Sequence, residues 1–165
     1  MLSHRMNSSR TVLERLRDYL DSSGIGYRFI EHRPTRTSEE SAAARGEPLS
    51  VGAKALVLMT DTEFRLFVLP ADMKLDSGAV RRHFGVKQTR FATPEELLDL
   101  TTLVPGSVPP FGEPVLPLPL YADTSVGIRH DRVAFNAGSL THSIVMAAND
   151  WSRLAAPHRF AFARV

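Results

Sequence analysis

The chain has 165 residues, 43% of them hydrophobic and 23% charged, with a net charge of +2 and no cysteine. That length predicts one domain with enough interior to need no staple, and the missing cysteines exclude disulfides, thiol nucleophiles, zinc fingers and iron–sulfur sites. No apolar run nears the roughly 20 residues of a membrane span, and the first ten residues lack the apolar stretch of a signal peptide, so the expectation is a cytoplasmic protein with no membrane partner.

Residues 1–10 are polar and unpatterned and predict a disordered tail, ahead of a single domain over 11–165. Val12, Leu13, Leu16, Tyr19 and Leu20 follow a helical period that Gly24 ends. Tyr27, Phe29 and Ile30 predict a short strand running into a turn at Pro34. Thr37-Ser38-Glu39-Glu40 reads as a capping box opening a small helix through Ala42–Ala44 to Gly46. Ala53–Thr60 and Phe64–Leu69, joined at Asp61-Thr62, predict a β-hairpin. Asp76 caps a helix through His83 that Gly85 stops, Gln88–Phe91 resumes a strand, and Thr93-Pro94-Glu95-Glu96 opens a helix fading near Thr101.

From Pro105 to Pro119 the chain is too dense in Pro and Gly for regular structure. Strands are predicted at Leu118–Ala122, Arg132–Phe135 and Ser143–Ala147, then a helix at Asp150–Ala155 and an apolar segment at Phe160–Ala163. Strands and short helices mix without βαβ alternation, so the expected class is α+β, a mixed and largely antiparallel sheet surrounded by short helices.

Familiar catalytic motifs are missing. The six histidines (His4, His32, His83, His130, His142, His158) form no HExxH or other tight ligand spacing, so no metal site is expected. There is no GxSxG, no P-loop, since Lys54 is followed by Ala55, and no third Gly after Gly24-Ile25-Gly26.

Two features carry the chemistry. Lys54 lies on a strand apolar on both faces, sharing one with Leu56, Leu58 and Thr60. Its amine either snorkels out at the strand end or enters a pocket offering anionic partners. Gly106-Ser107-Val108-Pro109-Pro110-Phe111-Gly112 is a stiff loop. It is either a shaped surface turn or a set of backbone amides (Gly106, Ser107, Val108, then Phe111) aimed at one point, where they stabilise negative charge or orient a water. A third feature, the basic run Lys74, Arg81, Arg82, His83, Lys87 and Arg90 answered only by Asp76, reads either as a solvated helix face or as a nucleic-acid contact.

In chain order, Glu31-His32-Arg33-Pro34, Gly52-Ala53-Lys54-Ala55-Leu56, Lys74-Leu75-Asp76, Ala92-Thr93-Pro94-Glu95-Glu96, Gly106–Pro110 with Phe111-Gly112, Asn136-Ala137-Gly138 and Ala148-Asn149-Asp150-Trp151 resemble the YbaK/prolyl-tRNA editing (INS-like) domains. The resemblance spans about Thr11 to Leu154 and rests on order and spacing, not on any one motif. It implies a partly barrel-like sheet and a freestanding trans-editing aminoacyl-tRNA deacylase, one that hydrolyses the ester of a mischarged tRNA without cofactor or metal. In this family a ribose hydroxyl of the substrate helps activate the water.

The implied partners are the aminoacylated tRNA acceptor end and, as a candidate docking partner, an aminoacyl-tRNA synthetase. Lys54, Gly106 and Pro110 are the implied catalytic residues. Ile30, His32, Ala55, Ser107, Val108, Pro109, Phe111, Asn136, Gly138, His142 and Ser143 are the implied substrate wall. Lys74, Arg81, Arg82, Lys87 and Arg90 are expected to contact acceptor-stem phosphates.

Four positions depart from the family pattern: Ala55 where members carry a hydroxyl, Ile30 where many have Tyr, Thr101-Thr102 in place of Thr-Gly, and His142-Ser143 where a polar pocket group varies. His142 reads as a pocket wall or strand-face residue. These departures fall on the amino-acid pocket, and they keep open a rival, a non-catalytic nucleotide-, tRNA- or protein-binding module on the same fold.

Overall fold

The structure, a computed structural model, describes residues 10–165, so the tail expected over 1–10 lies outside the described residues except at Arg10. Helix α1 (Val12–Ser22) opens on a full capping box between Thr11 and Glu14 and sends Val12, Leu16 and Leu20 into the core. It leads to β1 (Tyr27–Glu31), α2 (Ser38–Arg45), a 3₁₀ turn (Leu49–Val51) and the hairpin β2 (Ala53–Thr60) and β3 (Glu63–Pro70). Asp61 carries the hairpin turn at φ 63°, in the left-handed region that Asp tolerates. Next come β4 (Lys74–Leu75), α3 (Ser77–Phe84), β5 (Thr89–Phe91) and α4 (Pro94–Thr101). After the Pro-rich loop follow β6 (Leu120–Ala122), β7 (Arg132–Asn136), β8 (His142–Ala147), α5 (Ala148–Ala155), β9 (His158–Arg159) and β10 (Ala163–Arg164).

The fold is α+β. Strands β5-β2-β3-β6-β9 form one sheet, antiparallel at β5/β2/β3 and parallel at β3/β6/β9. A second, antiparallel sheet has the order β1-β8-β7, and β4 pairs with β10. A parallel bridge from Gly52 to Ala134 stitches the start of β2 to β7, so the two sheets curve toward one another. Between them lies the main core, with Leu16, Leu66, Val68, Phe111, Phe135 and Trp151. A second core of Leu58, Phe67, Leu69, Val80 and Phe162 fills the other face of the large sheet. Strand β2 is thus covered on both sides, as its apolar alternation implies: Ala53 and Val57 enter one core and Leu58 the other.

One local expectation changes. Thr37 caps α2 by accepting from the Glu40 amide at 3.1 Å, but the Glu40 carboxylate takes the Thr37 hydroxyl at 3.1 Å instead of the backbone amide, so only half a capping box forms. In the terminal apolar segment Phe162 plugs the second core, while His158–Arg159 and Ala163–Arg164 make the strand pairings. Asp123 fixes that plug, its Oδ1 accepting from the amides of Phe162 and Ala163 at 2.8 Å each. Among the described residues no helix is long and apolar enough to cross a membrane.

Candidate functional site

Where β2 leaves the Gly52–Ala134 bridge, the chain cannot close against α2, and a pocket of about 150 Å³ remains. Its walls come from α2 and its cap (Arg36, Thr37, Ser38, Ser41, Arg45), from the start of β2 (Gly52, Ala53, Lys54, Ala55, Leu56), from Leu49 and Ala71, and from Gly106, Val108 and Asn136. Gly52 is fixed by space: a Cβ there would lie 2.8 Å from the Ala71 Cβ and 3.2 Å from the Leu49 carbonyl.

Lys54 is half-buried on this wall. Burial pulls its ammonium below the ordinary lysine range, the charges of Glu39 and Asp72 oppose that shift, and nearby Lys74 adds to it. Asp72 is itself held by Arg129 at 2.6 and 2.8 Å, and among the described residues no carboxylate forms an ion pair with the Lys54 amine. Arg45, only 8% exposed, is a second pocket cation, and burial draws its guanidinium down to about 10 against the opposing field of Glu47. Glu47 is occupied elsewhere, by Arg132 at 2.8 Å.

Across the pocket, Gly106 takes φ 87°, which glycine alone adopts freely. Two of the loop amides counted in the sequence are used inside the loop: Ser107 donates to the Val104 carbonyl at 3.2 Å and Phe111 to the Pro109 carbonyl at 2.9 Å. Among the described residues no acceptor takes the amides of Gly106 or Val108, and both residues line the pocket. Three anchors hold the loop: the Asn136 side-chain amide donates to the Gly106 carbonyl at 2.6 Å, the Gly138 amide to the Ser107 carbonyl at 2.9 Å, and the Trp151 indole to the Pro110 carbonyl at 2.9 Å.

Of the residues singled out from the sequence, Lys54, Ala55, Gly106, Val108 and Asn136 meet at this pocket. The others lie elsewhere. Phe111 is a core residue, 1% exposed and edge-on to Tyr19 and Phe135. Pro109 and Pro110 are buried behind the pocket wall, and the buried Ser107 turns its hydroxyl back to the Val104 carbonyl. Gly138, at φ 78°, backs the loop against Val12 and Leu13 of α1.

His142 points away from the pocket. It stacks on Phe29 at 5.4 Å and bonds Ser139 and Thr141, because strand alternation puts it opposite Ser143. Ser143, on the pocket side but fully buried, takes the Arg45 Nε–H at 3.0 Å and bonds His32 at 2.8 Å. Ile30 packs on the small core of Val51, Ala134 and Val145.

The basic run divides. Arg90 is clasped by Glu96 at 2.7 and 3.0 Å, and that contact holds the Glu96 carboxyl at about 2. Arg82 stands 4.0 Å from Asp76, and Arg81 bonds Ser77 at 3.3 Å. Lys74 and Lys87 are exposed, and Lys74 is the one whose charge is felt at Lys54.

The polar pocket residues not foreseen are Arg36, Thr37, Ser38, Ser41 and Arg45. In the sequence an Arg in the last turn of a short Ala-rich helix reads as a dipole complement, and only the three-dimensional approach of α2 to β7 and β8 turns it inward.

This geometry has relatives. A family model described as the aminoacyl-tRNA editing domain matches residues 32–154. The multifunctional Ser/Thr-tRNA deacylase ProXp-y of Escherichia coli (strain K12) is 34% identical over 156 residues, covering 92% of this chain and 92% of that protein. A proline–tRNA ligase of Shouchella clausii (strain KSM-K16) is 34% identical over 98 residues, which are 58% of this chain and 17% of the ligase. A crystal structure of a candidate trans-editing enzyme for prolyl tRNA synthetase superposes with a TM-score of 0.80 at 27% identity, covering 94% of this chain and 99% of the other.

Proposed function

The chain belongs to the aminoacyl-tRNA editing domain family, and from that premise we propose that it is a trans-editing aminoacyl-tRNA deacylase that clears serine or threonine from mischarged tRNA in the cytoplasm. The observation that carries the reading is that Lys54, Gly106 and Val108 line one pocket of about 150 Å³, with the Gly106 and Val108 amides unpartnered among the described residues.

The chemistry follows from those groups. Lys54 offers an unneutralised charge to the phosphate of the terminal adenosine. The ester carbonyl lies against the Gly106 and Val108 amides, which stabilise the oxyanion as water adds to the carbonyl carbon. The substrate's own ribose hydroxyl assists the water. The C–O bond to the ribose then breaks, releasing the amino acid and a free tRNA end. Holding water, ester and hydroxyl in one orientation supplies much of the acceleration, so no protein nucleophile is required.

A small polar side chain suits the remaining wall. Leu49, Ala55 and Val108 limit its size, while Thr37, Ser38 and Ser41 give the wall a polar side. The name of the Escherichia coli relative points the same way. Lys74, Arg81, Arg82 and Lys87 supply the electrostatic contact with the acceptor stem, while Arg90 is committed to Glu96.

A panel of seryl-, threonyl-, alanyl- and prolyl-tRNAs, followed for ester loss, tests the proposal. Seryl and threonyl esters should be cleaved fastest. Folded protein that accelerates none of them above buffer contradicts it.

A further inference from the structure

Arg45 is a buried cation at the pocket, and among the described residues no carboxylate forms an ion pair with it. Its Nε donates to the Ser143 hydroxyl at 3.0 Å and its Nη2 to the Asn136 Oδ1 at 2.9 Å. Ser143 closes the triangle, its hydroxyl 3.3 Å from the same Oδ1 and 2.8 Å from His32 Nε2. With its oxygen so engaged, the Asn136 amide has one orientation available, in which Nδ2 donates to the Gly106 carbonyl at 2.6 Å. An unbroken chain of hydrogen bonds therefore runs from α2 through β8 and β7 to the loop whose Gly106 and Val108 line the pocket.

Burying a guanidinium without an acid costs stability, and an apolar residue of similar size would serve α2 better if packing were the only demand. A planar fork, in contrast, meets two acceptors at fixed geometry, which an ammonium cannot do.

We propose that Arg45 is a positioning residue for deacylation: it locks the Asn136 side chain, which anchors the Gly106 carbonyl and with it the loop that carries the Gly106 and Val108 amides. This rests on the deacylase reading, and it assigns Arg45 and Ser143 to turnover, not to substrate capture. The remaining guanidinium nitrogen, Nη1, lies 3.6 Å from where a Gly52 Cβ would stand and so borders the same pocket.

The test compares wild type, R45K, R45A and S143A on seryl-tRNA, with circular dichroism and thermal melts on each. R45K keeps the charge but cannot bridge both acceptors, so kcat should fall about 100-fold, as expected for a reacting group displaced by about 1 Å, while KM changes little. S143A should fall less, and guanidinium ion at low millimolar concentration should restore part of the R45A activity. In ¹H–¹⁵N spectra the Gly106 and Val108 amide resonances should move in R45K and S143A, with those of the β2–β3 hairpin unchanged.

Full kcat in R45K, or unmoved loop resonances in folded R45K and S143A, overturns the proposal. A fall in kcat that tracks only the loss of folded protein does the same. If wild type cleaves no aminoacyl-tRNA the deacylase reading fails, and the spectra still decide whether Arg45 sets the loop.

Discussion

The Trp151 indole nitrogen donates to the Pro110 carbonyl at 2.9 Å, with the indole fully buried between α5 and the Pro-rich loop. A loop with two adjacent prolines lacks two amides and makes few backbone bonds of its own, so anchors from outside help set its position. Replacing Trp151 by Phe leaves that buried carbonyl without a donor and opens a void. Chemical denaturation should show a loss of about 2–4 kcal/mol, and turnover per folded molecule should fall with it. Unchanged stability would show that another donor takes over.

Lys54 is expected to carry turnover and little of the fold. K54A should lose about 10²–10³-fold in deacylation, with stability within about 1 kcal/mol of wild type. Because burial lowers the Lys54 pKa, the amine loses its proton at lower pH than a free lysine. Enzymatic deacylation, corrected for spontaneous ester hydrolysis, should therefore fade on the alkaline side below the usual lysine range. K54R should push that fading to higher pH, because a guanidinium stays protonated.

Asp123 predicts an acid limit to stability. Burial raises its pKa, but bonds from the Ser125 hydroxyl and the amides of Ser125, Phe162 and Ala163 outweigh it, and the folded value lies below the ordinary aspartate range. A depressed folded pKa contributes stability above the unfolded value, near 4, and loses it as pH falls through the folded value. Wild type should exceed D123N by about 2 kcal/mol at neutral pH, and the gap should close below about pH 4. A pH-independent gap would locate the effect in packing.

The basic face separates by ion pairing. K74A and K87A should raise KM for aminoacyl-tRNA, and each should reduce the salt slope of binding by about 1, the share of one lysine bound to one phosphate. R90A, which releases a side chain already held by Glu96, should change binding much less. Binding measured from low to moderate salt separates the two cases.

Much of this molecule is legible in its sequence because the signals are local. Thr93 and Asp76 announce two helices through their caps, the apolar period from Val12 to Leu20 announces another, and Gly46 and Gly85 close two helices at φ 69° and 64°. The both-sided apolarity around Lys54 correctly implies a strand between two cores. What escapes is long-range. Nothing near Arg45 says that Ser143 and Asn136 receive it, and nothing near Phe111 says that Tyr19 and Phe135 absorb its ring. His142 and Ser143 show the limit most plainly: one step along β8 separates a ring stacked on Phe29 from a hydroxyl on the pocket side, and strand phase alone decides between them.

The most direct test is binding of a non-hydrolysable substrate end, the serylamide of 3′-amino-3′-deoxyadenosine 5′-phosphate, followed by ¹H–¹⁵N NMR in wild type and K54A. The Gly106 and Val108 amides and the start of β2 should shift together on titration, and K54A should weaken the response at least tenfold. Shifts confined to the surface around His32 and Ala44, or the same affinity in K54A, would contradict the placement of the reacting ester between Lys54 and the Gly106 loop.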